Sequence, residues 1–115
     1  MAISLKDAQE VVDRLIASCW NFRKPESPRQ KKMLVEMWQQ GLSGYNYPPF
    51  VYQEAVSSWL ASAKNNPAPP YPGDILEHCR RVIERIESDP KRRPGLEKWR
   101  EDYKLKRVAE LTGES

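Results

Sequence analysis

Apolar residues recur along most of this chain at spacings of three and four, the period of a helix with one buried stripe. From Leu5 to about Trp20 they fall at Leu5, Ala8, Val12, Leu15, Ile16 and Cys19, while Lys6, Asp7, Glu10, Asp13 and Arg14 take the other face. Ser4 precedes this run as an N-cap, with Asp7 in the first turn. Ser27-Pro28-Arg29-Gln30 then marks a second start: a capping hydroxyl, a proline at the first position and a glutamine able to reach back. That helix presents Met33 or Leu34, Met37 and Trp38, and is expected to stop at Gly41, a residue suited to a left-handed C′ position. A third helix is expected from about Pro49 to Lys64, with Val51, Ala55, Val56, Trp59, Leu60 and Ala63 inward and Phe50 beside them. The fourth starts near Pro72. It shows Ile75, Leu76, Cys79, Val82, Ile83 and Ile86 against Glu77, Arg80, Arg81, Glu84 and Arg85, and Ser88-Asp89-Pro90 ends it.

The connections carry turn chemistry. Asn21 to Ser27 is a basic loop broken by Pro25, and Gly41 to Pro49 holds Gly44, Asn46 and the Pro48-Pro49 pair. In the stretch WLASAKNNPAPPYPGDI, Lys64-Asn65-Asn66 is a weak helix terminus. Pro67, Pro69, Pro70 and Pro72 withhold backbone donors and fix φ, so Asn66 to Tyr71 reads as a stiff spacer. Pro72 suits the first helical position, and Asp74 sets negative charge on the positive helix end. The spacer serves either as a connector between packed helices or, with Tyr71 exposed, as a recognition ridge. No stretch alternates apolar and polar residues and no Asn-Gly turn occurs, so strands are not expected. The predicted fold is all-α: a small compact bundle of about four helices over residues 1–88, followed by a helical or flexible C-terminal segment, 89–115.

That last segment differs in character. Lys91-Arg92-Arg93-Pro94 is a basic hinge, after which Leu96, Trp99 and Tyr103 keep helical spacing while Val108 and Leu111 are more loosely placed. From Asp89 to Ser115 there are eight basic and six acidic residues. So thin an apolar stripe predicts a frayed, autonomous helix, or a segment that orders on a partner.

Composition narrows the function. A chain of 115 residues forms one domain with one modest core. With 30% charged residues and a mean hydropathy of −0.78, that core must draw on four Trp, five Tyr and two Phe. The formal charge of +3 permits an acidic partner but predicts weak or absent direct binding to nucleic acid. Cys19 and Cys79 fall inside apolar helical patterns without CxxC spacing, and are expected as buried free thiols in a reducing cytoplasm. The opening MAISLKDAQE has acids and no apolar run, unlike a signal peptide, and nothing approaches a membrane span.

Catalytic and metal chemistry find little footing. His78 is the only histidine, beside Cys79 and without further ligands at metal spacing, so it is expected at the surface or half-buried on the border of an apolar face. Carboxylates one turn apart, such as Glu10 and Asp13, have basic neighbours and read as solvated faces. No phosphate-cradling glycine motif occurs. No enzyme activity, cofactor or metal is expected. Two basic clusters remain: Arg23, Lys24, Arg29, Lys31 and Lys32 around the second helix start, and Lys91 to Arg107 interleaved with Trp99 and Tyr103. Arginine beside aromatics suits either phosphate and base stacking or a protein hot spot, and solvated charge is the plain alternative.

The order of motifs resembles one family. A first helix ends on an aromatic, and a second carries Met37-Trp38-Gln39-Gln40 and then Leu42. A third begins Phe50-Val51-Tyr52-Gln53-Glu54-Ala55-Val56 and runs through Trp59, and Pro69-Pro70-Tyr71-Pro72-Gly73-Asp74-Ile75 follows. Together these resemble the phage-encoded replicative DNA helicase loader and inhibitor family over roughly Leu5 to Ile86. There a Trp-bearing helix, an "F…A…A" helix and a "PPTPADI"-like turn succeed one another at similar spacing. The resemblance implies a small helical adaptor that binds a hexameric replicative helicase, keeps it inactive and delivers it to an origin-bound initiator protein. It further implies a stable N-terminal scaffold with a flexible C-terminal part engaging the helicase. The partner-binding residues expected on that basis are Lys91, Arg92, Arg93, Trp99, Arg100, Tyr103, Lys104, Lys106 and Arg107, with Trp99 as anchor. A DNA-binding or regulatory helical module is the next reading, and an assembly protein of a phage particle a third.

Overall fold

The computed structural model describes residues 3–19, 22–45, 47–62 and 68–111. Every regular element among them is helical: α1 Leu5–Ser18, α2 Pro28–Leu42, α3 Pro49–Ser62, α4 Pro72–Glu87 and α5 Arg93–Leu111. The all-α expectation holds, with five helices in place of about four plus a segment. Several expectations fall outside the described residues: Trp20 and Asn21, Asn46, Ala63 in the third stripe, the terminus at Lys64 to Asn66, and Pro67.

Local chemistry sets the helix starts. The Ser4 hydroxyl accepts from the Asp7 N–H at 3.1 Å, and Ser27 accepts from Gln30 at 3.1 Å. The Gln30 side chain reaches back to the Glu26 N–H at 2.8 Å, one residue before the cap. The Asp74 carboxylate accepts from the Tyr71 N–H, the residue just before α4, at 2.8 Å, and faces the positive helix end. At the other end of α1, Cys19 is extended, which stops the helix at Ser18.

The chain gathers into two compact units, Met1–Val82 and Ile83–Ser115. In the first, α1 packs against both α2 and α3. Ala8, Val11, Val12 and Leu15 of α1 are wholly buried, and the stripe of α3 runs through Val51, Tyr52, Ala55, Val56 and Trp59. Trp38 and Tyr52, each only 1% exposed, are the largest of the fully buried side chains among the described residues. The Phe22 and Trp38 rings meet at 6.0 Å, and the Tyr52 hydroxyl donates to the Tyr45 carbonyl at 3.3 Å. Arg14 on α1 donates to Gln53 at 3.2 Å and to Ser57, both on α3. Cys19 and Cys79 are buried free thiols, as expected.

Four expectations need correction. On α2 the inward stripe is Val35, Trp38 and Leu42, whereas Met33 and Met37 are 60% and 54% exposed. Both sets keep helical spacing, and packing chose between them. Gly41 is helical and does not end α2; the helix runs one residue further, and its C-cap, Ser43, has φ −78°. The glycine answers a different need. A Cβ there would sit 2.6 Å from both Cβ and Cγ of Pro72, so α2 and the start of α4 approach too closely for a side chain. His78 is buried, and Leu5 and Phe50, assigned to or beside inward stripes, are exposed.

The second unit comprises the last turn of α4, a short connection and α5. Ile83 and Ile86 are buried, as is Leu96 at 1% exposure. Asp89 organises the connection: its carboxylate accepts from the Lys91 N–H at 2.9 Å, and its carbonyl accepts from Arg92 and Arg93 at 3.1 and 2.9 Å. The side chain of Arg100 reaches Glu87 at 3.4 Å, joining α5 to the end of α4. Among the described residues no helix is long and apolar enough to cross a membrane.

Candidate partner-binding site

On α5, residues four apart lie over one another, so Trp99 and Tyr103 share a face with buried Leu96 one turn earlier. Their rings stack, with centroids 5.2 Å apart and planes inclined by 20°. Both residues are partly exposed, neither fully buried nor open to solvent. A stacked, half-exposed aromatic pair is rigid apolar area that a partner can cover at small entropic cost.

The nine sequence-predicted residues divide around this pair. Lys106 and Arg107 stand one turn beyond Tyr103 and extend its face, and Arg100 and Lys104 flank it. Lys104, Lys106 and Arg107 are exposed and have no ion-pair partner among the described residues. Arg93 and Arg100 are differently committed: Arg93 pairs with Glu97 at 2.8 Å along the helix, and Arg100 with Glu87. Lys91 and Arg92 stand in the connection before α5, about 20 Å along the axis from Arg107 at 1.5 Å per residue. The structure therefore makes two cationic groups, one at each end, with the aromatic pair between them. Three cations at the start of α5 face the positive end of its dipole, a placement that costs the helix stability.

Two features escaped the sequence reading. Leu105, Val108 and Leu111 are 64%, 55% and 79% exposed and form a separate apolar stripe on another side of α5. Their repeat of three residues was the available signal, with Leu105 the member that completes it. His78 is the second. It falls three residues after Ile75 and four before Val82, on the buried stripe itself. Its Nδ1 is 2.9 Å from the Ser58 hydroxyl and its Nε2 is 3.4 Å from that of Ser62. Ser62 already gives its only proton to the Trp59 carbonyl at 3.0 Å. Nε2 therefore carries a proton and donates to Ser62, and in the neutral ring Nδ1 accepts from Ser58. The network ties α3 to α4 with its ring nitrogens satisfied, and among the described residues no group of three or more His, Cys, Asp or Glu could hold a metal ion.

The ionisable groups elsewhere follow burial. Burial pushes the Cys79 thiol up to about 12 and raises the Tyr52 and Tyr47 hydroxyls above the ordinary tyrosine range. The hydrogen bond from Arg80 holds Glu77 below the usual carboxylate range. None of these groups lies on α5.

Comparison of the chain with protein-family models, with curated proteins and with solved structures finds no match.

Proposed function

We propose that this chain is a non-enzymatic replication adaptor. It binds a hexameric replicative DNA helicase through the aromatic and cationic face of α5, holds it inactive and delivers it to an origin-bound initiator protein. The order of motifs from Leu5 to Ile86 supports the family, and the α5 geometry supports the mode. One observation carries the reading: the stacked Trp99–Tyr103 pair, partly exposed, beside three cations with no ion-pair partner among the described residues. An aromatic anchor ringed by cations fits an acidic protein surface, where the rings supply affinity and the charges supply orientation and association rate. The adaptor acts in the cytoplasm, the host's if the chain is phage-encoded.

Light scattering of the chain mixed with a purified hexameric replicative helicase tests this. A complex heavier than the hexamer is expected, and Lys104→Glu with Arg107→Glu is expected to abolish it at physiological salt. Failure of the parent chain to shift the hexamer rejects the reading. So does tight duplex-DNA binding that falls steeply with salt, which would make the same face a nucleic-acid surface.

A further inference from the structure

A second, separate surface lies on the first unit. Along α2 the exposed ridge carries Arg29, Met33 and Met37, with a depression on each side of it. Toward α1, a cleft of about 240 Å³ is lined by Leu5, Gln9, Pro28, Lys31, Lys32 and Val35. On the other side, one of about 280 Å³ is lined by Arg23, Lys24, Pro25, Gln30 and Leu34. Each falls short of the roughly 300–1,000 Å³ of a small-molecule site, and is nearer the size of one or two inserted side chains. Lys31 is held by Asp13 at 2.7 Å. Arg23, Lys24, Arg29 and Lys32 have no ion-pair partner among the described residues.

We infer that this face of α2 is a docking site for an acidic amphipathic helix of another protein. Charge complementarity selects the occupant. Arg23, Lys24 and Lys32, without an ion-pair partner among the described residues, line the two depressions, Arg29 stands on the ridge between them, and Glu26 is the one acid between Arg23 and Lys32 in sequence. Carboxylates on the flanks of an incoming helix would meet those cations, while its apolar stripe lay along Met33 and Met37. Exposed methionines suit this task because their unbranched, polarisable side chains adapt to the shape laid on them. A membrane fits less well: the ridge has no Trp, Phe or Leu to enter the headgroup layer, and Glu36 lies between the two methionines in sequence. The site shares no residue with α5, so either surface can fail without the other.

The probe is a fluorescein-labelled synthetic helix of about 18 residues, with Leu at helical spacing and Glu elsewhere, titrated by polarisation against the full chain. The expected result is saturable binding that weakens several-fold between about 50 and 300 mM salt. Amide shifts should be confined to the first turn of α1, the loop before α2, and α2. Met33→Ser with Met37→Ser, and separately Arg29→Glu with Lys32→Glu, should each weaken binding by about tenfold or more. Both pairs are exposed, so a retained melting temperature is expected. Equal binding of a scrambled peptide of the same composition overturns the inference, because it would mean charge alone. Amide shifts on α5, or equal binding to anionic phospholipid vesicles, overturn it as well.

Discussion

Replacing Gly41 by alanine reverses the usual sign of a helical glycine substitution. In an open helical position alanine stabilises by about 0.5–1 kcal/mol, since glycine loses more backbone freedom on folding. Here the new Cβ would stand 2.6 Å from two carbons of Pro72. Carbon contacts settle at about 3.5–4.0 Å, so roughly 1 Å of separation is needed between α2 and the start of α4. The proline ring cannot rotate away as a flexible side chain would. Overpacking of this kind costs about 1–3 kcal/mol, which exceeds the propensity gain and leaves a net loss of about 0.5–2 kcal/mol. Gly73 and Gly95, with open space around an added Cβ, are the controls and should be neutral or mildly stabilised as alanine. Urea unfolding followed by tryptophan fluorescence measures all three, read as a change in midpoint at constant slope. A Gly41→Ala midpoint equal to or above that of the parent would refute the close approach of α2 and α4.

Three further outcomes follow from the same geometry. Ser58→Ala removes the hydroxyl paired with Nδ1 of buried His78 and should cost about 1–3 kcal/mol by the same unfolding assay, whereas a surface serine would cost nothing measurable. Cys79 keeps its proton in the folded chain up to about 12, while an unfolded thiol releases it near pH 9. Between those values the unfolded state binds fewer protons, so stability falls as pH rises, and Cys79→Ala should flatten that fall in unfolding midpoints taken across the alkaline range. The native thiol should also resist alkylation until the chain is unfolded, which mass spectrometry of alkylated protein reads directly.

Much of the fold was legible because punctuation and period agreed. Ser4, Ser27-Pro28, Pro49 and Pro72 each begin a helix where the sequence places it, and the stripe Ile75, Cys79, Val82, Ile83 and Ile86 is buried as its spacing predicts. Errors arose where period alone is ambiguous. On α2, Met33 and Met37 are as periodic as Val35, Trp38 and Leu42, and only the neighbouring helices decide which set faces inward. Gly41 has a local use as a cap and a tertiary use as a gap. The second won because Pro72, far along the chain, needed the space. His78 looked like a border residue because its hydroxyl partners sit on α3, beyond the reach of any local pattern. On α5 the Trp99–Tyr103 face was readable from four-residue spacing. The commitment of Arg100 to Glu87 was not, since it depends on how the connection at Asp89 turns the chain. Nor could a linear pattern show the two depressions flanking α2, which are made by neighbouring segments.

The partly exposed aromatic pair of α5 is proposed as the anchor for a protein partner. Calorimetric titration of a hexameric replicative helicase with the parent chain and with Trp99→Ala decides this, alongside thermal melts of both. An affinity loss of about 2 kcal/mol or more, some thirtyfold, is expected with both chains still folded at the temperature of the titration. Equal affinities, or a melting temperature that collapses with the substitution, would contradict it.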